Sequence, residues 1–430
     1  MGWKKSAVVG PVLAAVLGGA FLVGPSVSFD GDQPPARAAA ATATNRLPVN
    51  GRNVVLNGVN VPWGNFGMDI GCGYDADRFE RMFSQLEQYG ANSARFWLHI
   101  DARCSPSAGD DNWVSGVPAA YYDNLDDFLD RARDHDVAVL LTLWSFDITK
   151  NNSDYQQARG NRTSLITDPA RTAQYVDRVL VPMAKRYDRH TGLLGYEIIN
   201  EPEWSVTETN GNDQVALAQM QRFIAQQVVA LQRNTSKLVN AAGSAMLKWN
   251  TDRLPGVEGN WWSDDALAAQ VDGEDKQYAF SDFNQVHWYD WGKGEGYDYS
   301  PWQTEASDLI GDGKPIIVGE FSARGDKHFS LQQMIDGTWE RNLAGFMPWT
   351  YDGVDSNGSW DDIKTEIKAF RDAHPDEVDL ELGTPSDGSD PGTAANGYPY
   401  CRRDTDTDPD GDGWGWENQR SCVVRGGPGD

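Results

Sequence analysis

Basic residues are under-represented in this 430-residue chain: 37 lysines and arginines stand against 63 aspartates and glutamates, a net charge of −26. A surface this acidic repels phosphate backbones and anionic headgroups, which argues against nucleic acid and anionic membrane as partners. Long apolar runs are missing beyond residue 40, which leaves nothing to span a bilayer. No G-x-G-x-x-G turn follows the first strand-like run, which argues against dinucleotide binding. Only 4 cysteines and 6 histidines are present, and no histidine lies near any cysteine, so a zinc site is the poorer reading of the cysteines.

What is there begins with a leader. Lys4-Lys5 precedes an apolar run from Ala7 to Gly24, and small residues around Ala38-Ala39-Ala40 suit cleavage. Residues 1–40 therefore read as a secretion signal, and the mature protein is expected outside the cell. In an exported chain the cysteines read as two local disulfides, Cys72 with Cys104 and Cys401 with Cys422. Each would contribute about 3–4 kcal/mol by restricting the unfolded chain. The 17 tryptophans hint at carbohydrate, because aromatic faces stack on the C–H faces of sugar rings.

Along residues 46–376 one unit repeats in kind. Apolar runs occur at Val54–Trp63, Asn92–Ile100, Val137–Phe146, Leu193–Asn200, Lys237–Ala245, Phe283–Trp291, Pro315–Phe321 and Ala344–Tyr351. Amphipathic stretches lie between them, at Asp75–Tyr89, Tyr121–His135, Pro169–Arg189, Asp213–Arg233, Leu331–Asn342 and Trp360–His374. Strands apolar on both faces, alternating with helices, specify a parallel sheet covered by helices. Their number predicts an α/β fold of the (β/α)8 TIM barrel type. Composition changes after residue 376: 377–396 is acidic and aperiodic and reads as a linker. Residues 397–430 then form a small module that needs its disulfide.

In such a barrel, chemistry sits where strands end. The stretch Tyr196-Glu197-Ile198-Ile199-Asn200-Glu201-Pro202 closes the fourth strand, because proline cannot extend the ladder, and so presents Glu201. Glu320 ends the seventh in the same way. Two carboxylates on one rim are what glycoside hydrolysis requires, one as proton donor and one as nucleophile or base. A single strand-end glutamate is ordinarily a cap or a surface acid; the accompanying set argues otherwise. Arg95 lies inside an apolar second strand, where a charge must be paired. His287 and Tyr289 end the sixth strand, and Trp349 ends the eighth.

Together these residues resemble family 5 of the clan A glycoside hydrolases. The resemblance runs through the whole barrel. It implies that Glu201 is the acid/base and Glu320 the nucleophile, with Asn200 on the sugar 2-hydroxyl and Trp349 as the floor under the reacting sugar. Arg95 and Tyr289 would keep Glu320 ionised and aimed, with His287 beside them. The histidine that many members carry near the end of strand three is missing from Leu143-Trp144-Ser145-Phe146, and His99 is the candidate to replace it. Asn57–Gly67 with Trp63, the glutamate after Asn-Glu-Pro (Glu203), and Ser93–His99 are similar to bacterial and invertebrate β-1,4-mannanases. Trp63 and Trp144 are accordingly expected to face substrate. Endoglucanases share the same catalytic set, so cellulose stays open beside mannan as the substrate. The enzyme is expected to work as a monomer and without a catalytic cofactor.

The tail motif Gly413-Trp414-Gly415-Trp416-Glu417-Asn418 resembles cellulose-binding modules of family 10, which implies that Trp414 and Trp416 lie on polysaccharide. The bland alternative is that they form the module's own core. The same segment also fits a calcium-loop spacing, with Asp406, Asp408, Asp410, Asp412 and Glu417 offering oxygens. Pro409 and the lack of flanking helices oppose a structural Ca²⁺ there, and solvated acids are the alternative. Two other classes remain as alternatives to a retaining β-glycanase. A non-catalytic polysaccharide-binding barrel is opposed by the paired glutamates. A barrel enzyme of unrelated chemistry is opposed by the lack of phosphate-binding or catalytic-metal motifs.

Overall fold

The eight apolar runs become eight parallel strands: β1 Leu56–Val61, β2 Ser93–Ile100, β3 Ala138–Ser145, β4 Leu193–Asn200, β5 Leu238–Ser244, β6 Asn284–His287, β7 Ile316–Glu320 and β8 Gly345–Phe346. In this computed structural model, which describes residues 45–150, 162–210, 215–290, 299–383 and parts of 394–424, they pair in chain order. β8 returns to β1 and closes the barrel. The expected TIM barrel is therefore present.

Helices cover it: α1 Ala76–Gln88, α2 Tyr121–Asp134, α3 Pro169–Tyr175, α4 Val181–Tyr187, α5 Leu217–Asn234, α6 Leu331–Glu340 and α7 Trp360–Ala373. α1 shows why they form where they do. The Asp75 side chain accepts from the Arg78 N–H at its start, and Phe79, Met82, Phe83 and Leu86 fall on one buried face. The single helix expected over Pro169–Arg189 is interrupted by a wide turn at Val176–Leu180. Pro182 has no N–H to continue the ladder and explains the break.

The barrel interior is layered. Its lower end is apolar, where Leu140, Leu238 and Ile317 meet Leu47 and Val49 of a hairpin (Leu47–Val49 with Arg52–Val54) that closes the bottom. Above lies a polar layer of Asn60, Arg95, Thr142, Glu197 and Gln285, all buried. Strict alternation then fails. The β2–β3 register shifts between Trp97 and Ile100, and Ile100 adopts φ 58°.

One boundary differs from expectation. Residues 377–382 are part of the barrel and not of a linker. Val378, Leu380 and Leu382 are buried, the Val55 N–H donates to Glu377 O (2.8 Å), and the Leu382 N–H donates to Asp136 Oδ1 (2.6 Å). Acids alternate with apolar residues here, so the average composition hides a helical turn at Pro375–Val378 and a following segment that bury Val378, Leu380 and Leu382. Truncating this segment tests its role. Leu382→Ala should cost about 2–5 kcal/mol in chemical denaturation, whereas exposed Glu381→Ala should stay within about 0.5 kcal/mol of the parent.

Candidate active site

Arg95 is the hub of the polar layer. Its Nε and Nη2 donate to the two oxygens of Glu197 (2.6 Å each), and Nη2 also reaches Asn200 Oδ1 (2.7 Å). Its Nη1 donates to Glu320 Oε1 (2.6 Å) and Asn60 Oδ1 (2.8 Å). Glu197 takes further hydrogen bonds from Thr142 Oγ1 (3.1 Å) and Gln285 Nε2 (2.8 Å). A buried guanidinium with every face occupied cannot swing, so whatever it holds is fixed.

Glu201 is placed by backbone strain. It follows the last residue of β4 and adopts the left-handed conformation (φ 44°, ψ 53°), which costs a non-glycine residue about 1–2 kcal/mol. Its N–H donates to Gly243 O on β5 (2.7 Å), and Pro202 starts the short turn Pro202–Ser205 that follows. Its Oε1 meets His287 Nδ1 (2.9 Å), and its Oε2 accepts from Trp204 Nε1 (2.9 Å). Gln285 Nε2, already oriented by Glu197, faces His287 Nε2 at 3.4 Å. That nitrogen is therefore the acceptor, and the ring proton sits on Nδ1 and is donated to Glu201. Burial pushes His287 down to about 4, which keeps it neutral near pH 7.

Glu320 ends β7. Besides Arg95, Tyr289 donates to its Oε2 (3.2 Å). A carboxylate oxygen of Glu201 and one of Glu320 lie within 4.8 Å of each other. Burial raises both acids above the ordinary carboxylate range, Glu201 to about 7. Two carboxylates this close resist ionising together. Glu320 touches a guanidinium and Glu201 touches only neutral donors, so Glu320 holds the charge and Glu201 the proton. Glu201, His287 and Glu320 are close enough to hold a metal ion. A dication would have to take His287 Nδ1 away from Glu201 and lie beside the guanidinium on Glu320, however, and the donor set suits proton transfer better.

The two acids open into a cleft of about 530 Å³. Trp63, Phe66, Trp97 and Trp349 supply its aromatic lining, with Trp63 and Trp97 ring centres 5.9 and 5.6 Å from Trp349. The Trp349 indole is fixed by Asp355 Oδ2 (2.9 Å). Asn200, Tyr289, Phe146, Asp147, Lys150, Asp355 and Asn357 complete the lining.

The structure thus brings together Glu201, Glu320, Arg95, Asn200, His287, Tyr289, Trp349 and Trp63. It does not bring His99 or Trp144. Period-two alternation from Arg95 and Trp97 would point His99 inward, but the register shift in β2 turns it outward. His99 packs on Trp144 (5.0 Å), Tyr121 and Tyr175 and contacts Ser105 Oγ (2.9 Å), and burial lowers it to about 3. Trp144 lies at the same level, packs on Tyr175 and Phe223, and donates to Gln227 Oε1 (2.9 Å). Both belong to the strand–helix shell.

Sequence reasoning missed Glu197, Trp97, Trp204, Lys150 and Asp355. For Glu197 the signal was available: like Arg95, it is a charge inside an apolar strand, of the opposite sign. The Cys72–Cys104 disulfide is formed. In the tail, Trp414 and Trp416 lie on the hairpin Trp414–Glu417 and Arg420–Val423, and Trp414 meets the exposed Tyr398 edge-on (5.0 Å). Cys422 is disulfide-bonded, while Cys401, the calcium candidates Asp406, Asp408, Asp410 and Asp412, and the side chains of Trp416 and Glu417 lie outside the described residues.

Comparison with known proteins agrees with this geometry. Residues 48–353 match a family described as cellulase (glycosyl hydrolase family 5), and 390–424 match a cellulose or protein binding domain. A mannan endo-1,4-beta-mannosidase of Mytilus edulis is 26% identical over 343 residues, 75% of this chain and 90% of that protein. The crystal structure of an endo-1,4-beta-mannanase from Eisenia fetida shares 27% identity and a TM-score of 0.67, covering 78% of this chain and 96% of that one. A beta-1,4-mannanase from the sea hare Aplysia kurodai shares 26% and 0.68, covering 79% and 99%. These relatives are animal enzymes, the invertebrate and not the bacterial side of the resemblance.

The Arg95 hub predicts its own fragility. Glu197→Ala would leave a buried guanidinium short of its bidentate partner and should lower stability by about 3–5 kcal/mol. Thermal and chemical denaturation check this, and Thr142→Val, which removes a single neutral donor, should cost far less.

Proposed function

The chain belongs to glycosyl hydrolase family 5, and from that premise we propose that it is a secreted, retaining endo-β-1,4-mannanase. The observation that carries the mechanism is the pair of acids within 4.8 Å of each other, one on a guanidinium and one among neutral donors. That spacing leaves no room for a water between acid and sugar and suits double displacement, whose carboxyl groups stand about 5–5.5 Å apart.

Glu320 attacks the anomeric carbon as Glu201 gives its proton to the departing glycosidic oxygen. A covalent glycosyl-enzyme forms, and Glu201, now ionised, takes a proton from water to release the sugar with its configuration retained. Asn200 Oδ1 is engaged by Arg95, so its amide N–H₂ faces the cleft, ready to donate to the sugar 2-hydroxyl. Trp349, fixed by Asp355, is the stacking floor. The chemistry runs on the two carboxyl groups and needs no cofactor. Mannan as the substrate draws its support from the relatives, since cellulases of the family use the same pair. The leader at 1–40 supports secretion, and the domain at 390–424 supports anchoring to insoluble polysaccharide.

Reducing-sugar assays on mannan, carboxymethylcellulose and xylan test the substrate. Mannan should be hydrolysed fastest; faster release from carboxymethylcellulose would make the protein an endoglucanase.

The two glutamates should separate kinetically. Glu320→Gln should abolish turnover of every substrate, roughly a 10⁵-fold loss or more. Glu201→Ala should still be glycosylated rapidly by a dinitrophenyl glycoside, which needs little acid assistance. Because Glu201 acts protonated, kcat/KM should fall as pH rises through about 7. It should fall again at acid pH as Glu320 gains a proton, at a pH above the ordinary carboxylate range. Equal loss of the activated substrate in both variants would reject the assignment.

A further inference from the structure

Glu203 is a buried acid that the mechanism above does not use. It has no exposure, and its described partners include no cation. Trp262 Nε1 (2.6 Å) and Ser244 Oγ (2.5 Å) donate to its Oε1, and the Ala245 N–H (3.2 Å) to its Oε2. With no counter-charge to offset it, burial pushes the Glu203 carboxyl up to about 7, so holding it here is expensive and needs a compensating task. Three donors from the end of β5 and the segment after it converge on this one side chain. Its backbone carbonyl is tied as well, by Thr209 Oγ1 (2.6 Å).

The position of Glu203 says what that task is. It lies in the turn Pro202–Ser205, two residues after the strained Glu201 and one before Trp204, whose indole donates to Glu201 Oε2. Trp204 is otherwise held by ring contact with Trp249 (5.6 Å), and Trp249 meets Trp261 (5.9 Å), next in sequence to the Trp262 that binds Glu203. The far side of the turn is pinned by Ser205 Oγ to Phe146 O and Thr149 Oγ1 (2.9 Å each). Without its inner anchor the turn would relax toward the backbone conformation that Glu201 is denied.

We propose that Glu203 is a positioning residue for the acid: by clamping the Pro202–Ser205 turn to the end of β5, it sets the Trp204 indole against Glu201 and fixes the direction in which the acid delivers its proton. The inference rests on Glu201 being the acid.

The groups facing Glu201 are His287 from β6, Glu320 from β7, Arg95 from β2 with its partner Glu197, Tyr289, and Lys150 with Asp147 from the turn after β3. Beside the His287 Nδ1–H, the Trp204 N–H is a neutral donor that favours the ionised acid. Weakening it must therefore raise the pH at which Glu201 loses its proton.

Glu203→Gln and Trp204→Phe, made in the full chain, test this. Each should slow mannan hydrolysis roughly tenfold, a part of what a general acid contributes, and move the alkaline limb of kcat/KM to higher pH. Each should leave a dinitrophenyl glycoside nearly unaffected. The double variant should be no worse than the poorer single one, because both act through one contact. A Glu203→Gln variant that slows both substrates alike with the limb unmoved would overturn the proposal, as would additive losses. Should Glu203→Gln not fold, Trp204→Phe carries the test, and an unmoved limb there overturns it equally. Glu201→Ala separates this from the reading it rests on: if that variant loses the activated substrate too, the acid itself is misassigned.

Discussion

Everything in the catalytic end of this barrel hangs on one buried cation. Arg95 has no exposure and five hydrogen bonds to four side chains on β1, β4 and β7. Taking a guanidinium out of water costs several kcal/mol unless its partners repay it, and here two carboxylates share the task. Glu197 neutralises Arg95 without facing substrate, so the pair is electrically silent. Glu320 then adds one negative charge to the site. The glycosidic transition state develops positive charge on the sugar, and a preorganised excess of one negative charge is the right field for it.

That arrangement needs a rigid frame, which the layering supplies. A polar layer in mid-barrel would admit water if the lower end were open. The hairpin at Leu47–Val54 and the segment Leu380–Leu382 close it, so the residues just before and just after the barrel seal the floor beneath the charges. Above, the turns after β3, β4 and β5 are stitched by Thr149, Ser205 and Glu203, which makes one wall of three loops. The strain at Glu201 survives because this wall leaves it nowhere to relax.

The barrel was legible because strands buried on both faces write themselves as apolar runs, and the helical stretches between them repeat at 3.6 residues. The acids were legible because a proline or a strand end isolates them. Arg95 could be read as a charge needing a partner, and the same logic would have found Glu197 in Tyr196-Glu197-Ile198. His99 and Trp144 were misplaced for a different reason. Which way a strand-end side chain points depends on the register shift between Trp97 and Ile100, a pairing property that no local pattern encodes. The segment at 377–382 was hidden by its acids, which alternate with the residues that matter.

The division of labour between the two glutamates follows from one residue of strand length. Glu320 is still within β7, paired opposite His287 with its carbonyl accepting from the Trp288 N–H (2.9 Å), and at that height its carboxylate meets Arg95. Glu201 is the first residue beyond β4. Arg95 reaches Glu197 and Asn200 on that strand, while Glu201, turned by its left-handed backbone, meets His287 and Trp204 instead. Identical side chains thereby acquire opposite roles, because the one inside the ladder is within reach of the cation and the one just outside it is not. Lengthening β4 by one residue would put Glu201 in extended backbone and remove the turn that aims it. Proline has no N–H for the ladder, so the strand cannot run past Glu201, whose own N–H makes the last bond to β5.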